Sequence, residues 1–153
     1  MDIVLLHPEI PHNTGAIGRL CVGLGWPLVL IRPLGFALDE RHVRRAGLDY
    51  WPHLDLSLYD AFDDYLADRR PDALTFLSTK AARSLYDAPL TPRGALVFGC
   101  ESSGLPPDYY ARYADRLARI PMPGPHARSI NLANAVAIAA YEAYRRFAPG
   151  LLQ

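Results

Sequence analysis

Cysteine and lysine are scarce in this sequence, and its histidines are not clustered. Its 153 residues include two cysteines, Cys21 and Cys100, and a single lysine, Lys80. The cysteines form no metal-spaced pair, which predicts free thiols in apolar surroundings and a reducing compartment. The five histidines are also scattered without ligand spacing, so no bound metal is expected. The other fifteen basic residues are arginines, a bias that does not by itself indicate nucleic-acid binding.

Excess charge and long hydrophobic runs are absent as well. Sixteen acidic and sixteen basic residues give a formal net charge of zero, so global charge indicates no partner. No apolar run reaches membrane-spanning length, and the first residues lead directly into a strand-like segment without a basic flank. We therefore expect a cytoplasmic chain without membrane contact. Half of the residues are apolar, which predicts one domain over residues 1–153 with a sizeable core.

Three common catalytic loops are missing. Gly99 and Gly104 have the spacing of a phosphate-binding P-loop, but a Leu-Pro pair stands where Lys-Ser or Lys-Thr is required. Gly25 follows a predicted helix and is typical of a helix stop, so no dinucleotide fingerprint is present. No Gly-x-Ser-x-Gly elbow occurs. These absences disfavour a hydrolase, a metalloenzyme and a dinucleotide-dependent enzyme.

Short apolar segments alternate with helical patterns, which predicts an α/β fold: a parallel sheet covered by helices on both faces. Strands are predicted at residues 3–6, 28–31, 73–77, 95–98 and 117–120, with a weak signal at 54–58. Helices are predicted from a cap at Asn13 or Thr14 to Gly25, at 39–45, at 59–68, from about 107, and from 130 onward.

The last predicted helix has small or apolar residues on nearly every face. Ser129 is its predicted N-cap, and Arg145 and Arg146 suit its negative end. A helix of this composition is buried on two sides, and a homodimer is the simplest source of the second surface. Three prolines and a glycine stiffen the loop before it, as in a binding wall.

Four loops follow predicted strand ends, and in a parallel sheet they share one edge, where ligands bind. Their glycines and prolines expose backbone groups suited to an adenine edge and a neutral or zwitterionic ligand. Glu101 either bonds loop N–H groups or acts directly on a substrate. Arg19 alone is typical of a solvated side chain, whereas Arg128 brings a guanidinium to the edge itself. Tyr141 is predicted to pack in the core or at an interface.

Three ordered stretches resemble the motifs of SPOUT-class RNA ribose 2′-O-methyltransferases. They are residues 8–21 (PEIPHNTGAIGRLC), residues 96–106 (LVFGCESSGLP), and residues 120–122 (IPM) with 128–136 (RSINLANAV). Residues 44–50 (RRAGLDY) and the minimal length narrow the resemblance to the TrmL (YibK-like) tRNA wobble-nucleotide methyltransferases. The likeness runs almost end to end. It departs at Cys100, where proline is usual, at Ala133, where serine is usual, and in a loop at 123–127 that is one residue longer.

This resemblance implies a fold, a reaction and partners. The fold would contain a deep trefoil knot near the C-terminus, and the protein would be a homodimer. The methyl donor would be S-adenosyl-L-methionine, with S-adenosyl-L-homocysteine as product and no metal. The substrate would be the ribose of the wobble nucleotide, cytidine or modified uridine, in the anticodon stem-loop of tRNA, in particular of leucine tRNAs.

The resemblance also implies roles for individual residues. Arg19 would act at the ribose, and the supporting residues would be Asn13, Glu101, Ser129 and Asn131. The donor pocket would be lined by Leu77, Ser78, Thr79, Gly99, Glu101, Gly104, Ile120, Met122, Ser129 and Leu132. The RNA would be contacted by Arg19, Arg41, Arg44, Arg45 and Arg128. Because a guanidinium stays protonated, Arg19 is expected to anchor the adjacent phosphate and polarise the hydroxyl, with a phosphate oxygen taking the proton.

Two other interpretations stay open from the sequence. A related methyltransferase could act on ribosomal RNA or on another tRNA position, although such relatives often carry RNA-binding extensions. A non-catalytic RNA-binding or assembly factor could also use the same fold. Affinity for the methyl donor distinguishes that factor from an enzyme, because a pure binder has no need of a donor pocket.

Overall fold

A six-stranded, all-parallel sheet forms the centre of the molecule. The computed structural model describes residues 1–38 and 50–147. The strands lie in the order β3-β2-β1-β5-β4-β6. Their bounds are β1 Asp2–Leu6, β2 Leu28–Ile31, β3 Leu56–Tyr59, β4 Leu74–Leu77, β5 Ala95–Phe98 and β6 Leu117–Ala118. The parallel sheet confirms the predicted fold class.

Four α-helices connect and cover these strands within the described residues. They are α1 Pro11–Leu24, α2 Phe62–Arg69, α3 Tyr109–Arg112 and α4 Leu132–Phe147. Short 3-10 helices lie at Trp51–His53, Leu85–Asp87 and Ala114–Arg116. The helix predicted at residues 39–45, which carries Arg41, Arg44 and Arg45, lies outside the described residues.

Helices α1 and α4 cover one face of the sheet. Ile3 and Leu5 of β1 are completely buried there, together with Ile17 of α1 and Val136 of α4. Alternate strand residues point to one face, so this layer collects every second side chain. Burying each such side chain stabilises the fold by about 1.5–3 kcal/mol relative to leaving it exposed.

Aromatic side chains cover the opposite face. Val4 and Leu6 pack there with Phe62 and Tyr65 of α2. The Phe76 ring of β4 stacks on Tyr113, next to α3, with 4.3 Å between ring centroids. Helices therefore cover both faces of the sheet, as the uninterrupted apolar strands predict.

Strands β1 and β5 lie side by side, although the chain leaves β1 toward β2 and returns to β5 from the other half of the sheet. Such a reversal opens a crevice at the carboxyl ends of the strands, which is where α/β folds bind ligands. The loops after β1, β4, β5 and β6 meet at this edge, as predicted.

Several strand and helix boundaries differ from the sequence predictions by one to three residues. The weak signal at 54–58 belongs to a true strand, β3, which includes Tyr59, so α2 begins at Phe62 and not at residue 59. The strand is defined by its hydrogen bonds to the neighbouring β2, and the local hydrophobic pattern contains no information about those bonds. Strand β6 ends at Ala118, two residues earlier than predicted.

The predicted cap of α1 is wrong. The helix begins at Pro11, with Ile10 as its N-cap and no side-chain hydrogen bond, so Asn13 and Thr14 lie inside the first turns. Proline suits this position because its fixed φ is helical and it has no N–H to satisfy. The predicted end is confirmed, since Gly25 caps the helix in the left-handed region at φ 65°.

The predicted cap of α4 is wrong as well. The helix begins at Leu132, and its cap is Asn131 and not Ser129. The Asn131 Oδ1 accepts hydrogen bonds from the backbone N–H groups of Ala133 and Asn134, at 2.9 and 3.3 Å. Serine and asparagine are both good caps, so local propensity does not choose between them.

The last turn of α4 is tied to the rest of the fold by charge pairs. Arg145 and Arg146 both donate to the carboxylate of Glu142, which is nearly buried, and hydrogen bonds from Arg145 lead in lowering the pKa of Glu142. Arg146 also donates to the backbone oxygen of Ala88 at 2.8 Å. Positive charge at a helix C-terminus is favourable, as predicted.

The trefoil knot stays a prediction, because it depends on how the C-terminal segments thread through one another and not on strand order. Within the described ranges, no helix combines the length and hydrophobicity needed to cross a membrane.

Candidate active site

A cavity of about 480 Å³ opens at the carboxyl edge of the sheet. This volume lies in the usual range for sites that bind small molecules and cofactors. The loops after β1, β4, β5 and β6 and the start of α4 all contribute to its wall. Its lining residues are Ile10, Asn13, Leu77, Ser78, Thr79, Lys80, Phe98, Gly99, Cys100, Glu101, Ser102, Ser103, Gly104, Leu105, Tyr110, Ile120, Met122, Ser129, Ile130, Asn131, Leu132 and Ala135.

Every residue that the resemblance implies for the donor pocket lines this one cavity, and so do Asn13 and Asn131. Two predicted residues do not line it. Arg19 lies on the exposed side of α1, with its guanidinium 5.1 Å from the centre of the Tyr50 ring. Arg128 is exposed in the loop before α4. The predicted RNA contacts Arg41, Arg44 and Arg45 lie outside the described residues.

Glu101, just after β5, is bound by the segment that follows β1. Its carboxylate accepts hydrogen bonds from the backbone N–H groups of Glu9 at 2.8 Å and Ile10 at 3.2 Å, and from the Asn13 side chain at 2.9 Å. Of the two roles left open by the sequence, the geometry favours the one in which Glu101 bonds loop N–H groups. A carboxylate that already accepts three hydrogen bonds is a weak candidate for a general base.

Asn13 links all three motifs. It is 7% exposed, and its side chain donates to Glu101 while its Oδ1 accepts a 2.9 Å hydrogen bond from the Asn131 side chain. Asn131 in turn caps α4. A continuous chain of hydrogen bonds therefore joins the loop after β5, the start of α1 and the start of α4.

The loop after β5 is closed by an unusually tight approach of its own backbone. Cys100 and Gly104 exchange two backbone hydrogen bonds, at 3.1 and 3.0 Å. A Cβ atom on Gly99 would lie 2.0 Å from the carbonyl carbon of Gly104 and 2.3 Å from the nitrogen of Leu105. Only glycine fits at residue 99, and Gly104 adopts a φ of 75° that other residues rarely adopt.

The residues that sequence reasoning missed include Lys80 and Tyr110, two polar side chains of the cavity wall. The Lys80 ammonium lies 4.7 Å from the centre of the Tyr110 ring, and the Tyr110 hydroxyl is 3.2 Å from the Ser78 Oγ. Lys80 directly follows two predicted pocket residues, so its position next to them was an available signal. Tyr110 comes from α3, and no rule about strand ends points to it.

The predicted apolar surroundings of the two thiols are wrong for Cys100. Cys21 is fully buried, and burial raises its pKa to about 12. Cys100 lines the cavity, with its Sγ 3.0 Å from the Ser103 Oγ. Burial acts to raise the pKa of Cys100, but hydrogen bonds from Ser103 and Ser102 outweigh it and lower that pKa. Both thiols are free, as predicted.

The cavity wall suits a ligand that combines an apolar ring system with polar and charged ends. Leu77, Phe98 and Leu132 offer apolar surface, and the tight loop at Gly99 brings backbone groups to the wall. Lys80 and Glu101 place one charge of each sign in the lining. No group of three or more His, Cys, Asp or Glu side chains among the described residues is arranged to hold a metal ion.

Solved RNA methyltransferases share this fold. One is a protein studied for 2-OH methylation of C/U34 on tRNA; it is 50% identical, with a TM-score of 0.85 over 95% of this chain and 94% of that chain. Another is the SpoU methyltransferase AviRb from Streptomyces viridochromogenes, solved in complex with AdoMet. It is 25% identical, with a TM-score of 0.81 over 98% of this chain and 58% of that one. The fold and the site thus define an α/β RNA methyltransferase.

The chain belongs to the SpoU rRNA methylase family, which matches residues 1–141. Among curated relatives, the tRNA (cytidine(34)-2'-O)-methyltransferase of Polaromonas sp. is 44% identical over 149 residues, which cover 95% of this chain and 90% of the relative. The protein of the same name from Saccharophagus degradans is 42% identical over 147 residues, 95% of this chain and 94% of the relative.

Proposed function

We propose that this chain transfers a methyl group from S-adenosyl-L-methionine to the ribose 2′-hydroxyl of the wobble nucleotide, residue 34, of tRNA. The substrate nucleotide is cytidine or a modified uridine, and leucine tRNAs are the expected set. One observation carries the proposal: a single cavity at the carboxyl edge collects the loops of all three motifs. The names of relatives about half identical to this chain support the choice of nucleotide. A tRNA substrate also favours the cytoplasmic location expected from the sequence.

The residues of the cavity fit the proposed donor. Apolar side chains such as Leu77 and Leu132 suit the adenine, whose edge can be read by the backbone of the surrounding loops. Lys80 is placed to attract a carboxylate, and the Glu101 carboxylate favours a sulfonium or an ammonium group nearby. When bound, the donor supplies an activated methyl group, so the protein needs no covalent or metal chemistry of its own.

The protein's remaining task is to align the hydroxyl and ease the loss of its proton. The hydrogen bonds that join Glu101 to Asn13 and Asn13 to Asn131 hold the loops around the cavity in a fixed arrangement. Arg19 is on α1 and does not line the cavity, so from this position it would contact the RNA and not the donor. A guanidinium does not act as a base, so Arg19 polarises the hydroxyl and anchors the adjacent phosphate, which accepts the proton. Arg128 and the arginines at 41, 44 and 45 supply further RNA contacts.

Transfer of labelled methyl to a synthetic anticodon stem-loop tests the function directly. We expect label in a 2′-O-methylated pyrimidine at position 34 after digestion, and none in a matched stem-loop with 2′-deoxycytidine at that position. Label at another nucleotide, or only in ribosomal RNA, would contradict the wobble assignment. Absence of S-adenosyl-L-homocysteine binding would contradict the methyltransferase function itself.

We also propose that the protein is a homodimer through the outer face of α4. Asn134, Ile138, Tyr141 and Arg145 form an exposed stripe at helical spacing, with Ile138 38% and Tyr141 55% exposed. Tyr141 begins a row of aromatic side chains. Its ring contacts that of Tyr144, and the Tyr144 ring contacts that of Trp26, which follows α1. Ile138 and these aromatic rings lie beside the small residues of α4, and such a surface suits a self-complementary, two-fold interface.

Replacing Tyr141 by glutamate tests this interface. The variant would bury a charge at the two-fold contact, and we expect a dimer-to-monomer shift of the mass measured by light scattering at micromolar concentration. Tyr141→Phe is the matched control, because it keeps the ring and should keep the dimer. A dimer unaffected by Tyr141→Glu, or a wild-type monomer, would contradict the proposed interface.

A further inference from the structure

Glu9 and Glu101 form a reciprocal clamp between the two loops at the centre of the sheet edge. The Glu101 carboxylate accepts the Glu9 N–H at 2.8 Å. In the opposite direction, the Glu9 carboxylate accepts the Ser102 N–H at 2.9 Å and the Ser102 Oγ–H at 2.8 Å. Each loop thus offers both a carboxylate and a backbone donor to the other, across more than 90 residues of sequence.

The backbone of Glu9 is itself held from behind. The Gly35 N–H donates to the backbone oxygen of Pro8 at 2.9 Å. A Cβ on Gly35 would lie 2.8 Å from the Glu9 Cα, so the loop after β2 packs directly against this residue. Glu9 is therefore a fixed point from which its side chain reaches Ser102, although the residue is exposed to solvent.

Glu9 does not line the cavity, whereas its partner Ser102 does, within a wall segment that runs from Phe98 to Leu105. We propose that Glu9 is a positioning residue for methyl transfer, which acts through Ser102 to hold this wall segment in its donor-binding conformation. Hydrogen bonds to a charged acceptor are about twice as strong as neutral ones, so their loss would let the wall segment move. The inference rests on the proposed function.

The proposed role of Glu9 differs from that of Glu101. Glu101 bonds the β1 side of the crevice, where Asn13 continues the chain to α4. Glu9 restrains the opposite partner, the loop after β5, at the residue that follows Glu101. Removing Glu9 should loosen the donor wall while leaving the Glu101 bonds to Ile10 and Asn13 in place.

A double-mutant cycle tests this proposal through binding of S-adenosyl-L-homocysteine measured by calorimetry. We expect Glu9→Ala to raise Kd about tenfold and Ser102→Ala about threefold, because the first loses two bonds to a charged acceptor and the second loses one. Since the Ser102 hydroxyl bonds Glu9, the double variant should match Glu9→Ala alone. Glu9→Gln keeps one acceptor oxygen and should give an intermediate Kd.

Two further readouts distinguish positioning from general destabilisation. Amide hydrogen exchange in the segment 99–105 should accelerate in Glu9→Ala, while the melting temperature stays within about 2 °C of wild type because Glu9 is exposed. At saturating donor, kcat should fall less than about threefold, so the loss appears mainly in the donor KM. Asp64→Ala, an exposed carboxylate on α2, is the control for loss of surface charge.

The outcomes are separable from those of the proposed function. If wild type binds S-adenosyl-L-homocysteine and Glu9→Ala binds it equally well, the positioning role is overturned and the proposed function stands. Additive effects in the double variant would also overturn it, because they would show that Glu9 and Ser102 act independently. If wild type fails to bind, both proposals fail.

Discussion

Arg19→Ala is expected to reduce methyl transfer to tRNA by about 100-fold or more while binding of S-adenosyl-L-homocysteine changes less than twofold. The reason is geometric. Arg19 lies on the exposed side of α1 and is not among the residues that line the cavity. Its guanidinium lies over the ring of Tyr50, and the Tyr50 hydroxyl donates to the backbone oxygen of Gly15 in α1. The ring is thereby fixed against α1 and can orient the guanidinium.

Single-turnover methyl transfer and calorimetry on the same preparations would measure the two effects. Arg19→Lys is an informative partner variant, since it keeps the charge but loses the planar, bidentate geometry and should recover only part of the activity. Arg93→Ala, at the amino-terminal edge of the sheet next to β5, is the control for loss of an exposed arginine and should leave both quantities unchanged. Equal loss of transfer and donor binding in Arg19→Ala would contradict the role at the ribose.

Gly99→Ala is expected to abolish measurable donor binding and to destabilise the protein by about 1–3 kcal/mol or more. The added methyl group would lie within 2.3 Å of backbone atoms of Gly104 and Leu105. Backbone held by the paired Cys100 and Gly104 hydrogen bonds has no rotamer by which to move aside, so the loop after β5 must open. That loop supplies a large part of the cavity wall.

Gly23→Ala is the matched control, because a Cβ at Gly23 in α1 meets nothing within 4 Å. In a helix this change should stabilise the protein by about 0.5–1 kcal/mol and leave donor binding intact. Thermal unfolding by circular dichroism and calorimetry with S-adenosyl-L-homocysteine measure both variants. A Gly99→Ala protein with wild-type affinity would show that the close approach at residue 99 is not needed for binding.

Much of the cavity follows from a simple topological rule. Apolar segments such as residues 95–98 predict buried parallel strands, and the loops after parallel strands meet at one edge. For this reason the sequence correctly places Leu77, Gly99 and Ile120 on a shared surface. Residues outside those loops, such as Tyr110 of α3, escape the rule because they reach the cavity through packing between elements.

The hydrogen bonds at the carboxyl edge of the sheet join residues that are distant in sequence. Asn131 caps α4, where Ser129 is equally suitable by propensity, and its side chain is also tied to Asn13, 118 positions away. Asn13 lies inside α1 and not at its cap, and it bonds the carboxylate of Glu101. Local patterns report which residues can cap a helix, but not which long-range partner selects one of them.

Periodicity and strand direction are enough to predict the parallel α/β sheet, the edge at which the cavity opens and the loops that form its wall, and the spacing of the two cysteines predicts free thiols. The folded chain reveals that Glu101 accepts hydrogen bonds from the segment after β1, that the Glu9 carboxylate accepts hydrogen bonds from Ser102, and that Arg19 does not line the cavity. A hydrogen bond requires two groups within about 3 Å of each other, and here the folded sheet brings together partners that are far apart in the sequence.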